Sequence, residues 1–247
     1  AAGGFAVSRR TAIVVALLAL LPAGAYAQPA PEGRQYTPGH FDAIEISGAA
    51  AVRFTQGSED QVFIEGDDEV QKSVTVEVRG STLHIRPSGG WKFWNSRRVQ
   101  IAISARELRR VSISGAADLV ALQPVQAQRL DVSISGAGLA RFDQLRADSM
   151  RFHVSGAGDG QMAGRVGELS VSVSGRSEFR GENLQCERAA VAVSGIGDVK
   201  VWVTQALAVA VSGVGTVDYW GTPQVVKRSS SGIARINERG AKTPAVP

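Results

Sequence analysis

The chain of 247 residues holds one cysteine and three histidines, and each shortage removes a class of explanation. Cys186 has no partner for an internal disulfide, so packing and main-chain hydrogen bonds must hold the fold; without a matched histidine it reads as a lone buried or semi-buried thiol. His40, His84 and His153 have no consistent acidic partner by spacing, which leaves neither a nucleophile with its base nor a metal-ligand pattern. Lys and Arg are interspersed with Asp and Glu, so the basic stripe that phosphate binding needs is missing and nucleic acid is not an expected partner. Only one long apolar run is present, near the N-terminus. No transmembrane segment is therefore expected in the rest of the chain, and no cofactor site is visible.

What the chain does have is Ser-Gly. Eight times a short apolar strand runs into the pair and out into another apolar stretch, at Ser47, Ser114, Ser135, Ser155, Ser174, Ser194, Ser212 and Ser231, and six of the seven intervals are 18 to 21 residues. One and three positions before the serine stand two apolar columns: Ile44/Ile46, Val111/Ile113, Val132/Ile134, Phe152/Val154, Val171/Val173, Val191/Val193 and Val209/Val211. The residue between them is small or polar, so each copy carries a strand with one buried face. Five and seven positions after the serine, large and small residues trade places between copies, as Gly160/Met162 and Phe179/Gly181 show. A narrow interior packed at near-crystalline density demands that exchange. The glycine itself reads as a corner residue that tolerates positive φ.

A fixed period of about twenty residues predicts a right-handed parallel β-helix, an all-β solenoid whose coils stack on one another. Helical repeats need about 33 residues or more and a 3.6-residue periodicity, and propeller blades need about 40; neither pattern is present.

Arg9 and Arg10, the apolar run over 11–21 and Ala25-Tyr26-Ala27 follow the order of a secretory signal ending in an A-x-A cleavage site. Residues 1–27 are expected to be removed, leaving a protein located in the periplasm or outside the cell. No cysteine stands at that site to carry a lipid anchor. Residues 28–40 are rich in Pro and Gly and read as a flexible leader. The domain is expected over 41–239, with N-terminal strands over 41–110, regular coils and a C-terminal cap over 111–239, and a tail over 240–247. Within the long first interval, alternating residues predict strands at 61–65, 73–78, 82–86 and 98–104, a broader layer that caps the solenoid. Arg228 and Ser230 break both apolar columns before the last Ser-Gly, as a terminal coil should.

The opening Phe41-Asp42-Ala43-Ile44 leading to Ser47-Gly48, the strand Thr82-Leu83-His84-Ile85, the successive Ser-Gly-Ala-Gly turns, and Tyr219, Gly221 and Pro223 before the last Ser-Gly resemble the bacterial autotransporter-adhesin head GIN domain family, over roughly residues 41–237. The resemblance implies an extracytoplasmic β-helical domain.

Three groups of residues merit scrutiny. Trp91, Lys92, Trp94, Arg97 and Arg98 form the densest aromatic and cationic segment, suited to sugar rings or a protein partner, or else to covering the end of the solenoid. Asp118, Asp159, Glu178 and Asp198 share the fourth position after the serine; stacked ~4.8 Å apart they would form a carboxylate ladder, read as solvated turn residues before a calcium site. The outward serines lack histidines at matching spacing, so no catalytic residue is assigned. The function expected is a non-enzymatic envelope or adhesion-type module engaging a cell-envelope glycan or protein. The alternatives are a polysaccharide-active enzyme and a purely structural, self-associating envelope protein.

Overall fold

The computed structural model describes residues 32–88 and 98–242. It is 70% strand and 3% helix, a β-solenoid of about six turns. The N-terminal part runs β1 (Gly33–Tyr36), β2 (Ala43–Ile46), β3 (Ala50–Gln56), β4 (Gln61–Glu65), α1 (Asp68–Ser73), β5 (Val74–Arg79), β6 (Thr82–Pro87) and β7 (Val99–Ala105). The coils follow as β8 (Arg110–Ile113), β9 (Asp118–Ala121), β10 (Val125–Ile134), β11 (Leu139–Val154), β12 (Asp159–Val173), β13 (Arg176–Val193), β14 (Ile196–Val211), β15 (Val214–Trp220), β16 (Val225–Ser230) and β17 (Ile233–Glu238).

Two faces are built from these strands. The segments before each Ser-Gly stack as β5, β6, β2, β8 and β10, then the C-terminal halves of β11 to β14, and β16. The segments after it stack as β1, β4, β7, β3 and β9, then the N-terminal halves of β11 to β14, β15 and β17. From β8 onward every pairing between coils is parallel, as expected. The long strands pass from one face to the next coil through register shifts, such as that between Phe142 and Leu145. The second corner is thus a bulge, which can absorb a residue without breaking the ladder.

Both apolar columns before the serine point inward, with Val111, Val132, Phe152, Val171, Val191 and Val209 all at most 3% exposed. A third inward column stands two residues further back: Leu130, Met150, Leu169, Ala189 and Leu207. Burying each large apolar side chain contributes about 1.5–3 kcal/mol. The exchange of large for small is physical. A Cβ on Gly160 would lie 2.6 Å from the Phe152 ring and 2.9 Å from Phe179, whose rings pack against each other with centroids 5.0 Å apart.

The Ser-Gly glycines serve a purpose other than the one the sequence suggested. Of the eight, only Gly48 has positive φ. The others are required by the coil before. A Cβ on Gly115, Gly136, Gly156, Gly175, Gly195, Gly213 or Gly232 would stand 1.8 to 2.2 Å from the carbonyl oxygen of the preceding glycine in the ladder. Main chain rests on main chain at this corner. The residue after each glycine donates its N–H to that same carbonyl, as Arg176 does to Gly156 at 2.9 Å.

The cap changes the pairing rule. β6 and β7 continue the parallel stack, but β5 on β6, β4 on β7 and β1 on β4 are antiparallel. All four strands expected in this interval lie within a residue of the expected bounds, as Gln61–Glu65, Val74–Arg79, Thr82–Pro87 and Val99–Ala105. Helix α1 was not expected. Asp67 caps it by accepting from the N–H of Glu69 and Val70, and its buried Gln71 donates to the carbonyls of Ile64 and Gly66 while accepting from the Tyr36 hydroxyl. β1 also falls within the segment expected to be a flexible leader, and the Arg106 guanidinium, His40 and Asp60 fix the chain just after it.

At the other end Arg228 occupies the apolar column, as the sequence indicated for a terminal coil. Its guanidinium lies over the Tyr219 ring and donates to the Tyr219 hydroxyl, which donates to Glu238. Residues 240–242 of the expected tail return to the coils. The Gly240 carbonyl accepts from Gly221, and Lys242 packs over Trp202 and Trp220 while bonding the Asn183 side chain and the Glu182 carbonyl.

Candidate functional site

A groove of about 480 Å³ crosses the first face of the coils. Its floor forms where the outward residues are smallest, at Ser170, Ala190, Ala206 and Ala208. Taller charged side chains stand around it in two stacked columns. One column is Arg129, Ser149, Glu168, Arg188 and Ala206; the other is Asp131, Arg151, Ser170, Ala190, Ala208 and Lys227, each residue in register with the next. Arg188 bonds Glu168 at 2.8 Å and Arg151 bonds Asp131 at 3.3 Å, both from one coil to its neighbour. Among the described residues Arg129 and Lys227 form no ion pair. The groove therefore carries four cations against two carboxylates, set on strands ~4.8 Å apart, with β14 uncharged there.

A second exposed feature lies at the Ser-Gly corner. Ile196, Val214 and Ile233 stack in register and are 51%, 46% and 71% exposed.

Of the aromatic and cationic segment, Trp91, Lys92, Trp94 and Arg97 lie outside the described residues. Arg98 precedes β7 and forms an ion pair with Asp118 of β9, across the intervening β3. Asp159, Glu178 and Asp198 do stack consecutively, whereas Leu139 separates Asp118 from Asp159. Asp159 accepts from the Glu178 N–H, and Asp118 from the Leu139 N–H. Hydrogen bonds from Arg180, against an opposing cost of burial and with help from Lys200, hold the Glu178 carboxyl at about 2. No cluster of three metal-ligating side chains occurs among the described residues.

Two histidines have carboxylate neighbours that spacing could not show. His40 Nδ1 lies 2.9 Å from Asp60, and His84 Nδ1 lies 3.4 Å from Glu45 on the adjacent strand. Burial raises the Asp60 carboxyl, but hydrogen bonds from the Arg106 side chain and main chain and from His40 outweigh it and set the value at about 2. Cys186 is buried, and burial pushes its thiol up to about 12; its Sγ donates to the Trp202 carbonyl. The sequence did not reveal the groove, because its walls come from five coils. The outward positions of adjacent copies, aligned as columns, would have been the signal.

A stack of parallel coils places the chain among the β-solenoid proteins. Within that class the chain belongs to the family described as "Putative auto-transporter adhesin, head GIN domain", whose model matches residues 40–223. Solved structures of the same fold include a "putative adhesin" from Bacteroides fragilis NCTC 9343, 22% identical, with a TM-score of 0.80 over 85% of this chain and 98% of that one. A "putative lipid binding protein" from Parabacteroides distasonis ATCC 8503 is 22% identical, with a TM-score of 0.62 over 85% and 97%. A "putative adhesin" from Parabacteroides merdae ATCC 43184 is 17% identical, with a TM-score of 0.64 over 85% and 97%. No curated protein matches the chain. No helix among the described residues is long and apolar enough to cross a membrane.

Proposed function

We propose that this protein is an exported, non-enzymatic adhesion-type module of the bacterial envelope, which holds an anionic cell-envelope glycan across the coil-face groove. The family supports an adhesion-type role, and residues 1–27 have the order of a secretory signal. The observation that carries the choice of ligand is the excess of Arg129, Arg151, Arg188 and Lys227, on β10, β11, β13 and β16, over Asp131 and Glu168 around one groove. An extended chain bearing carboxylates or phosphates meets several of these cations, and many modest contacts add up to affinity. Trp91 and Trp94 supply a second contact, their ring faces stacking on sugars.

The test is a glycan and envelope-polymer array probed with residues 28–247, with Arg129→Ala/Arg188→Ala, and with Trp91→Ala/Trp94→Ala. Binding to acidic polymers that falls about tenfold or more in the arginine variant, a loss of about 1.4 kcal/mol, supports the groove. Binding lost only in the tryptophan variant moves the site to that segment. No binding by the unaltered protein overturns the proposal, and shortened polymer on the array shows an enzyme.

A further inference from the structure

The two ends of the solenoid stop in different ways. At the N-terminal end the outermost strands are β5 and β1, and α1 connects one face to the other there. Asp67, Asp68 and Glu69 are exposed on it. Residues 57–79 hold seven acidic residues against two basic ones; of the seven, buried Asp60 is taken up by Arg106 and Asp68 lies 3.7 Å from Arg34 of β1, which at α1 leaves Asp67 and Glu69 with no cationic partner among the described residues. At the C-terminal end β16 and β17 pair only with the coil before them, and among the described residues nothing pairs with their outer edges. Unpaired N–H and C=O groups along two edges form a template for another chain. That end carries Lys227, Arg228 and Arg235, all exposed, and Glu238 is the only acid in its two strands.

Strand directions fit a second copy set on the same axis. β5 runs antiparallel to the rest of its face, while β1, reversed twice through β4 and β7, runs parallel to the rest of its own. The edge of β16 would meet the next copy's β5 antiparallel, and β17 would meet its β1 parallel; both are ordinary ladders.

We propose that copies of this protein stack head to tail, the basic C-terminal coil of one docking on the acidic N-terminal cap of the next. Charge sets the polarity, because two C-terminal ends would bring Lys227, Arg228 and Arg235 against their own kind. The stack would also repeat the groove along one axis, but the association stands independently of what the groove binds.

Sedimentation velocity of residues 31–247, the compact unit that carries the whole core, tests this over a concentration series in about 20 mM and about 500 mM NaCl, which cuts the screening length several-fold. The expected result is a mass that climbs past the dimer with concentration and an affinity that falls about tenfold or more in high salt. Lys227→Glu/Arg235→Glu alone and Asp68→Lys/Glu69→Lys alone should each stay monomeric, and an equimolar mixture should assemble again, since each variant then offers what the other lacks. A monomer at every concentration in low salt overturns the proposal. So does a dimer that grows no further, or association unchanged in both variants. Should either variant melt early, the salt and concentration dependence of the unaltered protein decides alone.

Discussion

In the regular coils each strand finds its partner about twenty residues away and always in parallel, whereas in the cap β4, β5 and β1 find theirs in antiparallel. The coils leave no room at their corner, where glycine lies on glycine. The cap's hairpin turn has room, since a Cβ on Gly80 between β5 and β6 would meet nothing within 4 Å, while one on Gly33 at the edge would crowd the Ile64 carbonyl nearly as closely as in the coils. The cap instead relies on buried polar groups, Gln71 and Asp60, each satisfied by several hydrogen bonds. The lesson is that a repeating stack is held by shape shared between copies, while its irregular end is held by particular side chains. Damage in the coils should be steric and severe, and damage in the cap should be electrostatic and graded.

The largest effect is expected from Val173→Asp. Val173 is 1% exposed, and an unpaired carboxylate between coils should cost about 4–5 kcal/mol or more and unfold the domain. The same change at Val76 of the cap, only partly buried, should cost far less. Thermal melts by circular dichroism read both, and equal losses would erase the distinction between the regions.

Next comes the pair Gly175→Ala and Gly80→Ala. The first drives a Cβ to 1.8 Å from the Gly156 carbonyl oxygen, and overpacking of this kind should cost about 3 kcal/mol. The second only strains a residue at φ +63°, about 1–2 kcal/mol. Urea titration that ranked them in the opposite order would sink the glycine ladder as the reason for the repeat.

The smallest effect concerns acid. The folded value of Asp60, about 2, lies below the ordinary 3.8, so its contribution is complete above pH 4 and is lost as pH falls toward 2. The loss should be about 1–2 kcal/mol, allowing for the half-exposed Arg106. Stability measured from pH 5 to pH 2 should fall less steeply in Asp60→Asn than in the unaltered protein, with Glu178 of the coils supplying part of the slope that remains.

Most of the solenoid was legible because its signal is local. Val171 and Val173, two residues apart and repeated every coil, announce a strand whatever surrounds them. What escaped depends on contacts between copies. Gly175 looks like a turn residue when only its neighbours in sequence are seen, and its real constraint, the Gly156 carbonyl, is nineteen residues away. Helix α1 is six residues long, too short to show a period. His40 and Asp60 meet because β1 pairs antiparallel with β4, setting Tyr36 opposite Val62. The groove likewise belongs to no single coil: Arg188 and Glu168 stand twenty residues apart, and only stacking makes them neighbours.

The contrast between the two corners of each coil has a consequence for how such a molecule can change length. The bulged corner accepts an extra residue, which is why coils of 18 and 21 residues coexist. The glycine corner accepts none, since it is the point at which each coil is indexed on the last. Growth and shrinkage by whole coils therefore keep the glycine ladder in step, while the side chains at the new junction must still match large against small. A rod of this design is graduated, with the Ser-Gly step as its unit of measure.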